Sequence, residues 1–201
     1  MRFRTLSALF LGLAAACACP PEARRLVETP DFSTPEAASR SFLAALGCDD
    51  AEAEYRCLAD RFKEELGAGF DAWLLARPRL REEAGPALDL AFQAESTGRR
   101  DLPPEEGRRR VLLWWGRGET PYVGFVLEEQ YWWSLETRDG RRFDDLLAEP
   151  PARALSSPGR GRLLLGPLEL PVPRWLQPEA VRSLTLGTEW RIRDLLPPPE
   201  P

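Results

Sequence analysis

The chain has 201 residues, 43% of them hydrophobic and 29% charged, which suits one domain with a real core and argues against global disorder. Its formal net charge is −5, and −7 once Arg2 and Arg4 leave with a leader, so the basic surface that nucleic-acid binding requires is missing. There is no His, which excludes His-based triads and His metal sites, and Lys63 is the only lysine, which leaves Schiff-base chemistry one candidate.

Residues 1–18 read as a leader. Residues 1–4 are basic, and LSALFLGLAAA follows over residues 6–16, ahead of Cys17-Ala18-Cys19-Pro20-Pro21. The apolar run is too short to span a bilayer as a helix, and it fits a secretory signal. The small residues directly before Cys17 resemble a bacterial lipobox, with Ala14 where Leu is usual. That resemblance implies a lipidated Cys17 and makes a membrane the first expected partner. Cleavage before Cys19, or by an ordinary signal peptidase, is the alternative. The expected location is therefore the bacterial cell envelope, with a lipid anchor.

Residues 19–33 have little periodicity and read as a tether. Thr34-Pro35-Glu36 then opens a helix with an N-cap, a Pro at the first helical position and an acid at the positive end of the dipole. Ala38, Phe42, Ala45 and Leu46 share its apolar face, and Gly47 ends it. Asp49 or Asp50 caps a second helix with Tyr55, Leu58, Ala59, Phe62 and Leu66 as its stripe, broken at Gly67. A third is expected over residues 70–83, around Phe70, Trp73 and Leu74, with Pro78 as a kink or break. Leu88, Leu90, Phe92 and Ala94 alternate with Asp89, Ala91, Gln93 and Glu95, which predicts a strand. Residues 96–106 read as a polar loop.

A continuous apolar run, Val111-Leu112-Leu113-Trp114-Trp115, predicts a strand within residues 109–116 that is buried on both faces or offers an aromatic face to a partner. The long strand after it, over residues 122–136, organises the rest. Phe125, Leu127, Glu129, Tyr131, Trp133 and Leu135 lie on one face; Val126, Glu128, Gln130, Trp132, Ser134 and Glu136 lie on the other. Asp139-Gly140 signals a hairpin. Residues 148–178 are Pro-rich and irregular, with a short strand possible over 162–170. Leu184, Leu186, Thr188, Trp190 and Ile192 keep one parity through Gly187, as a bulged strand or a hairpin with a three-residue loop. Residues 197–201 are a Pro-rich tail.

Helices first and long antiparallel strands afterwards make an α+β fold. The chain resembles the NTF2-like superfamily, in the version common among bacterial exported proteins. The opening match is Thr34-Pro35-Glu36-Ala37-Ala38, Phe42-Leu43, Asp50-Ala51-Glu52, Tyr55, Leu58 and Phe62; the closing match is residues 187–192, GTEWRI. The resemblance implies N-terminal helices packed on a curved antiparallel sheet, an NTF2-like cone, over residues 34–196. It implies no particular activity, because such a fold hosts enzymes and inert binding domains alike.

Glu129 is the one candidate for catalysis, as a carboxylate among aromatic residues; desolvated and unpaired, it would have a raised pKa. The bland alternative is an ion pair with one of the many arginines. Tyr131, Trp133, Trp115, Trp190 and Tyr55 complete a candidate pocket lining, against the alternative that they are core. Glu128-Glu129 and Asp144-Asp145 point to opposite faces as neighbours on a strand, so no metal site is expected. No cofactor is expected. Cys48 and Cys57 are expected as unpaired thiols, since Cys57 lies two turns inside a helix that begins after Cys48. The arginines at 99–100, 108–110 and 141–142 are expected in or beside turns as solvated charges.

These observations favour a non-catalytic, exported, lipid-anchored binding or structural module of the cell envelope. The alternatives are an isomerase- or dehydratase-like enzyme that uses an acid in the cone, and a scaffold that offers residues 162–178 to another protein. Candidate partners besides the membrane are a small apolar ligand and an envelope protein.

Overall fold

A computed structural model of the chain describes residues 19–147, 161–165, 168–172 and 178–198. The expected leader over residues 1–18, with Cys17, and most of the Pro-rich segment 148–178 lie outside the described residues. Within them the protein is α+β: five helices precede a five-stranded antiparallel sheet that is not closed.

The helices are α1 (Pro21–Glu28), α2 (Pro35–Gly47), α3 (Ala51–Cys57), α4 (Asp60–Leu66) and α5 (Phe70–Phe92). The expected caps form. Thr34 accepts from the Ala37 amide at 3.1 Å, with Pro35 and Glu36 in the first turn of α2. Asp50 accepts from the Ala53 amide at 2.9 Å and starts α3. Each cap satisfies an amide that the first helical turn leaves without a partner.

Three helical expectations are corrected. Residues 19–33 are not a bare tether, since they contain α1. Its Ala23 and Val27 are buried with Ala44, Ala45 and Ala53. The second helix is interrupted at Leu58, which leaves helical geometry and forms a parallel bridge with Ile192. The Ala59 amide donates to the Ile192 carbonyl at 2.7 Å. An exposed sheet edge needs backbone partners, and here it takes them from the middle of a helical run. The third helix runs on through Pro78 and Pro86 to Phe92, so residues 88–94 are not a strand. Trp73, Leu88 and Ala91 are buried, and Leu80 and Ala84 pack on the same core, which is helical spacing. Leu90 and Phe92, which created the apparent alternation, are exposed. Burial at both ends of α5 offsets the roughly 3 kcal/mol that each interior proline costs.

The strands are β1 (Glu95–Glu105), β2 (Arg108–Arg117), β3 (Thr120–Thr137), β4 (Arg142–Leu147), β5 (Gly161–Leu165), β6 (Leu168–Val172) and β7 (Val181–Leu196). The expected polar loop at 96–106 is largely β1. Its residues are mostly exposed, and it carries Pro103 and Pro104, as an edge strand can. With both sides wet there is no alternation to read. Glu106 and Gly107, both at positive φ, turn the chain into β2. The Asp139-Gly140 hairpin forms as expected, with Gly140 at φ +82 and the Thr137 amide donating to the Arg141 carbonyl.

The 18-residue β3 is the spine of the sheet. One edge pairs with β7 from Gly124 to Thr137; the other pairs with β2 in its first half and with β4 in its second. β7 runs straight through Gly187, and its bulges lie elsewhere, at Arg193 opposite Val126/Leu127 and at Arg182 opposite Glu136/Thr137 of β3. Gly187 has a different reason to be glycine: a Cβ there would meet the Trp132 indole at 2.5 Å. β5 and β6 pair as a separate two-stranded antiparallel sheet.

The helices cover the face of β3 that carries Phe125 and Leu127. Phe42 of α2 packs against Phe125 and against Trp73 of α5, with ring centroids 6.1 and 6.5 Å apart. Val111, Leu113 and Trp115 of β2 and Trp190 and Ile192 of β7 join the same core.

Candidate functional site

Glu129 lies on β3 with Trp190 of β7 as its cross-strand partner, on the face that carries the core. It is buried, and both carboxylate oxygens are engaged. The Tyr131 hydroxyl, two residues along the same face, donates to Oε2 at 3.1 Å. An Arg109 guanidinium nitrogen lies 3.7 Å from Oε1, and that guanidinium sits over the Trp190 ring, 5.5 Å from its centroid. Three of the expected residues, Glu129, Tyr131 and Trp190, are thus brought together, with Arg109 added. Burial and the neighbouring Glu129 charge push the Tyr131 hydroxyl above its ordinary pKa, so it stays protonated as a donor. The cluster is a carboxylate held by a neutral phenol and by an arginine whose side chain is 63% exposed.

The other candidates occupy different places. Trp115 is 2% exposed, and its indole N–H donates to the Ser39 hydroxyl of α2 at 3.1 Å, which makes it part of the sheet–helix packing. Trp133 is equally buried, and its indole nitrogen has no hydrogen-bond partner. Tyr55 of α3 packs edge-on against Phe70, and the Lys63 ammonium lies 4.9 Å above its ring. Lys63 has its pKa lowered, chiefly by burial.

Two further acids are buried: Glu54, which escaped the sequence reading, and Glu128, which was read only as the opposite-face neighbour of Glu129. Glu54 of α3 is fully buried. Arg77 of α5 grips both of its oxygens, at 2.6 and 2.9 Å, and Arg81 adds a contact at 3.2 Å. Asp49 pairs with the same two arginines. The Glu54 contact is the main reason that the Arg77 pKa is raised. The spacing of Arg77 and Arg81, one turn apart on α5, was the available signal. Glu128, on the other face of β3, is fully buried and pairs with Arg108 at 2.5 Å, while its Oε2 makes no hydrogen bond.

None of these acids except through Arg81 touches the described cavities. The largest, about 670 Å³, lies where α5 meets β1, lined by Leu90, Gln93, Glu95, Thr97, Arg117 and Tyr122 among others. A second, about 360 Å³, runs between α2 and α5 past Leu43, Arg81 and Phe92. A third, about 290 Å³, is bounded by Glu22 and Leu26 of α1, Arg40 of α2 and Trp115. Gln93 borders all three. Trp115 is the single expected pocket residue that lines one of them. Among the described residues no group of acids and cysteines could hold a metal ion.

The expectation that Cys48 and Cys57 are both free thiols is half corrected. Cys48 forms a disulfide with Cys19, their Cα atoms 4.7 Å apart, and Cys57 is buried and free. The helical-rise argument kept Cys48 from Cys57, but α1 brings Cys19 to the end of α2. Burial pushes the Cys57 thiol up to about 12.

The chain matches no family model, no curated protein and no solved structure.

Proposed function

We propose that the protein is an exported, non-catalytic NTF2-like module of the bacterial cell envelope, anchored by lipid on Cys17, that binds a small ligand or an envelope protein. The observation that carries the reading is the Cys19–Cys48 disulfide. Disulfides persist in oxidising compartments, and this one joins the residues just after the leader to the domain. It also favours Cys17 over Cys19 as the lipidated residue, because a lipid thioether would need the sulfur that Cys48 already holds. No helix among the described residues is long and apolar enough to cross a membrane. The NTF2-like reading draws on helices that precede an open five-stranded antiparallel sheet with one long central strand and a bulged β7 beside it. The cone itself is part of the proposal.

The engagement of both Glu129 oxygens supports a binding or structural role over catalysis. A general base must also lie where a substrate can reach it, and none of the described cavities is lined by Glu129. Changing Cys17 to Ser tests the anchor: the variant should leave the membrane fraction and appear in the soluble exported fraction. Continued membrane retention of that variant would contradict the proposal.

A further inference from the structure

We infer that the end of the domain formed by α1, the C-terminus of α2 and the start of α3 is the surface that faces the bilayer. The inference rests on the proposed lipid at Cys17 and turns it into an orientation. Only Ala18 separates Cys17 from Cys19. At 3.3–3.6 Å per residue, two residues reach about 7 Å. Cys19 is covalently joined to Cys48, which caps the C-terminus of α2. The attachment point therefore lies within two residues' reach of the folded body.

The body at that point is well tied. Ala23 and Val27 of α1 are buried against Ala44, Ala45 and Ala53. Arg56 of α3 donates to the Val27 carbonyl at 3.0 Å, and the Trp190 amide donates to the Phe32 carbonyl at 2.8 Å. The residues between the disulfide and α2 are thus held at several points, down to the edge of the sheet. Without the disulfide only this packing would hold α1, and if α1 came away the roughly 15 residues ahead of α2 could extend about 50 Å. With it, exposed residues of the same end, Arg24 on α1 and Glu52 on α3, are held toward the headgroup layer. The β3–β4 turn at Arg138 lies eleven residues beyond Leu127 of the core on which α2 packs, about 36 Å along the strand at 3.3 Å per residue.

The test uses the mature lipoprotein in phosphatidylcholine vesicles brominated on the acyl chains. A fluorophore is attached to a single cysteine introduced as Arg24→Cys, Glu52→Cys or Arg138→Cys. Cys57 is buried, with its thiol pushed up to about 12, so it stays unlabelled in the folded protein. Quenching at positions 24 and 52 should exceed that at 138 by about twofold or more, since the quenchers lie within the ~30 Å hydrocarbon layer. Removing the disulfide with Cys19→Ser and Cys48→Ser together should narrow the difference. Equal quenching at all three positions on protein whose N-terminus carries lipid would overturn the orientation and leave the anchor standing. A difference unchanged by loss of the disulfide would overturn the role given to it. Protein with no N-terminal lipid that fails to bind the vesicles would remove both the orientation and the anchor beneath it.

Discussion

Glu54 and Glu129 are both buried glutamates, but the protein holds them in different ways. Glu54, between α3 and α5, is fully enclosed and gripped through both oxygens by Arg77, with Arg81 behind. Glu129, on the sheet, meets one phenol and one largely exposed guanidinium at 3.7 Å. Removing a carboxylate from water costs several kcal/mol, and only short, well-aligned partners in the same dry environment repay it. Glu54 has such partners and ties two helices together. Glu129 keeps most of its support from Tyr131 and from residual contact with solvent. The difference separates a two-pronged structural clamp from a contact held by a single hydrogen bond.

The largest expected effect is on the clamp. Glu54→Gln keeps the volume and leaves two arginines facing an amide, so denaturant melts should show a loss of about 3–5 kcal/mol. A loss below about 1 kcal/mol would mean that solvent reaches Glu54 and that the contrast with Glu129 is empty. Next is Arg77→Lys, which keeps the charge but loses the two-pronged grip; the expected loss is about 1.5–3 kcal/mol. Tyr131→Phe removes the one short hydrogen bond to Glu129 and should cost about 0.5–1.5 kcal/mol. Glu129→Gln should be smaller still, within about 1 kcal/mol, because the Arg109 partner is screened by water. A Glu129→Gln cost matching that of Glu54→Gln would make the two acids equivalent.

Acid should act on the clamp through Asp49, whose pKa is lowered, first by the hydrogen bond from Arg77. A carboxylate with a depressed folded pKa adds stability above its unfolded value near 4, and that stability is lost as pH falls through the folded value. A pH titration of the melting midpoint should therefore show a drop below about pH 4 that shrinks in Asp49→Asn. The effect is small because Asp49 is exposed.

The central strand and the first two caps were legible because each depends on neighbours in sequence. The parity of Phe125, Leu127, Glu129 and Tyr131 placed Glu129 on the core face. Thr34 and Asp50 serve as caps where their side chains suggested. What was hidden depends on distant partners. Leu58 leaves its helix because β7 needs a backbone neighbour. β1 is polar on both faces because it is an edge. Cys19 reads as part of a cleavage region until α1 folds it onto Cys48. Arg109 became the partner of Glu129 only once β2 lay beside β3, so an Arg-rich sequence could promise a partner without naming it.

The most direct test of the central claim is the intact mass of the protein taken from its own host's membranes, denatured and treated with a thiol reagent without reductant. The proposal predicts a chain that begins at Cys17 and carries lipid, with one label, on Cys57, because Cys19 and Cys48 are joined. A chain without lipid, or a lipidated chain labelled on Cys19, Cys48 and Cys57 together, would contradict it.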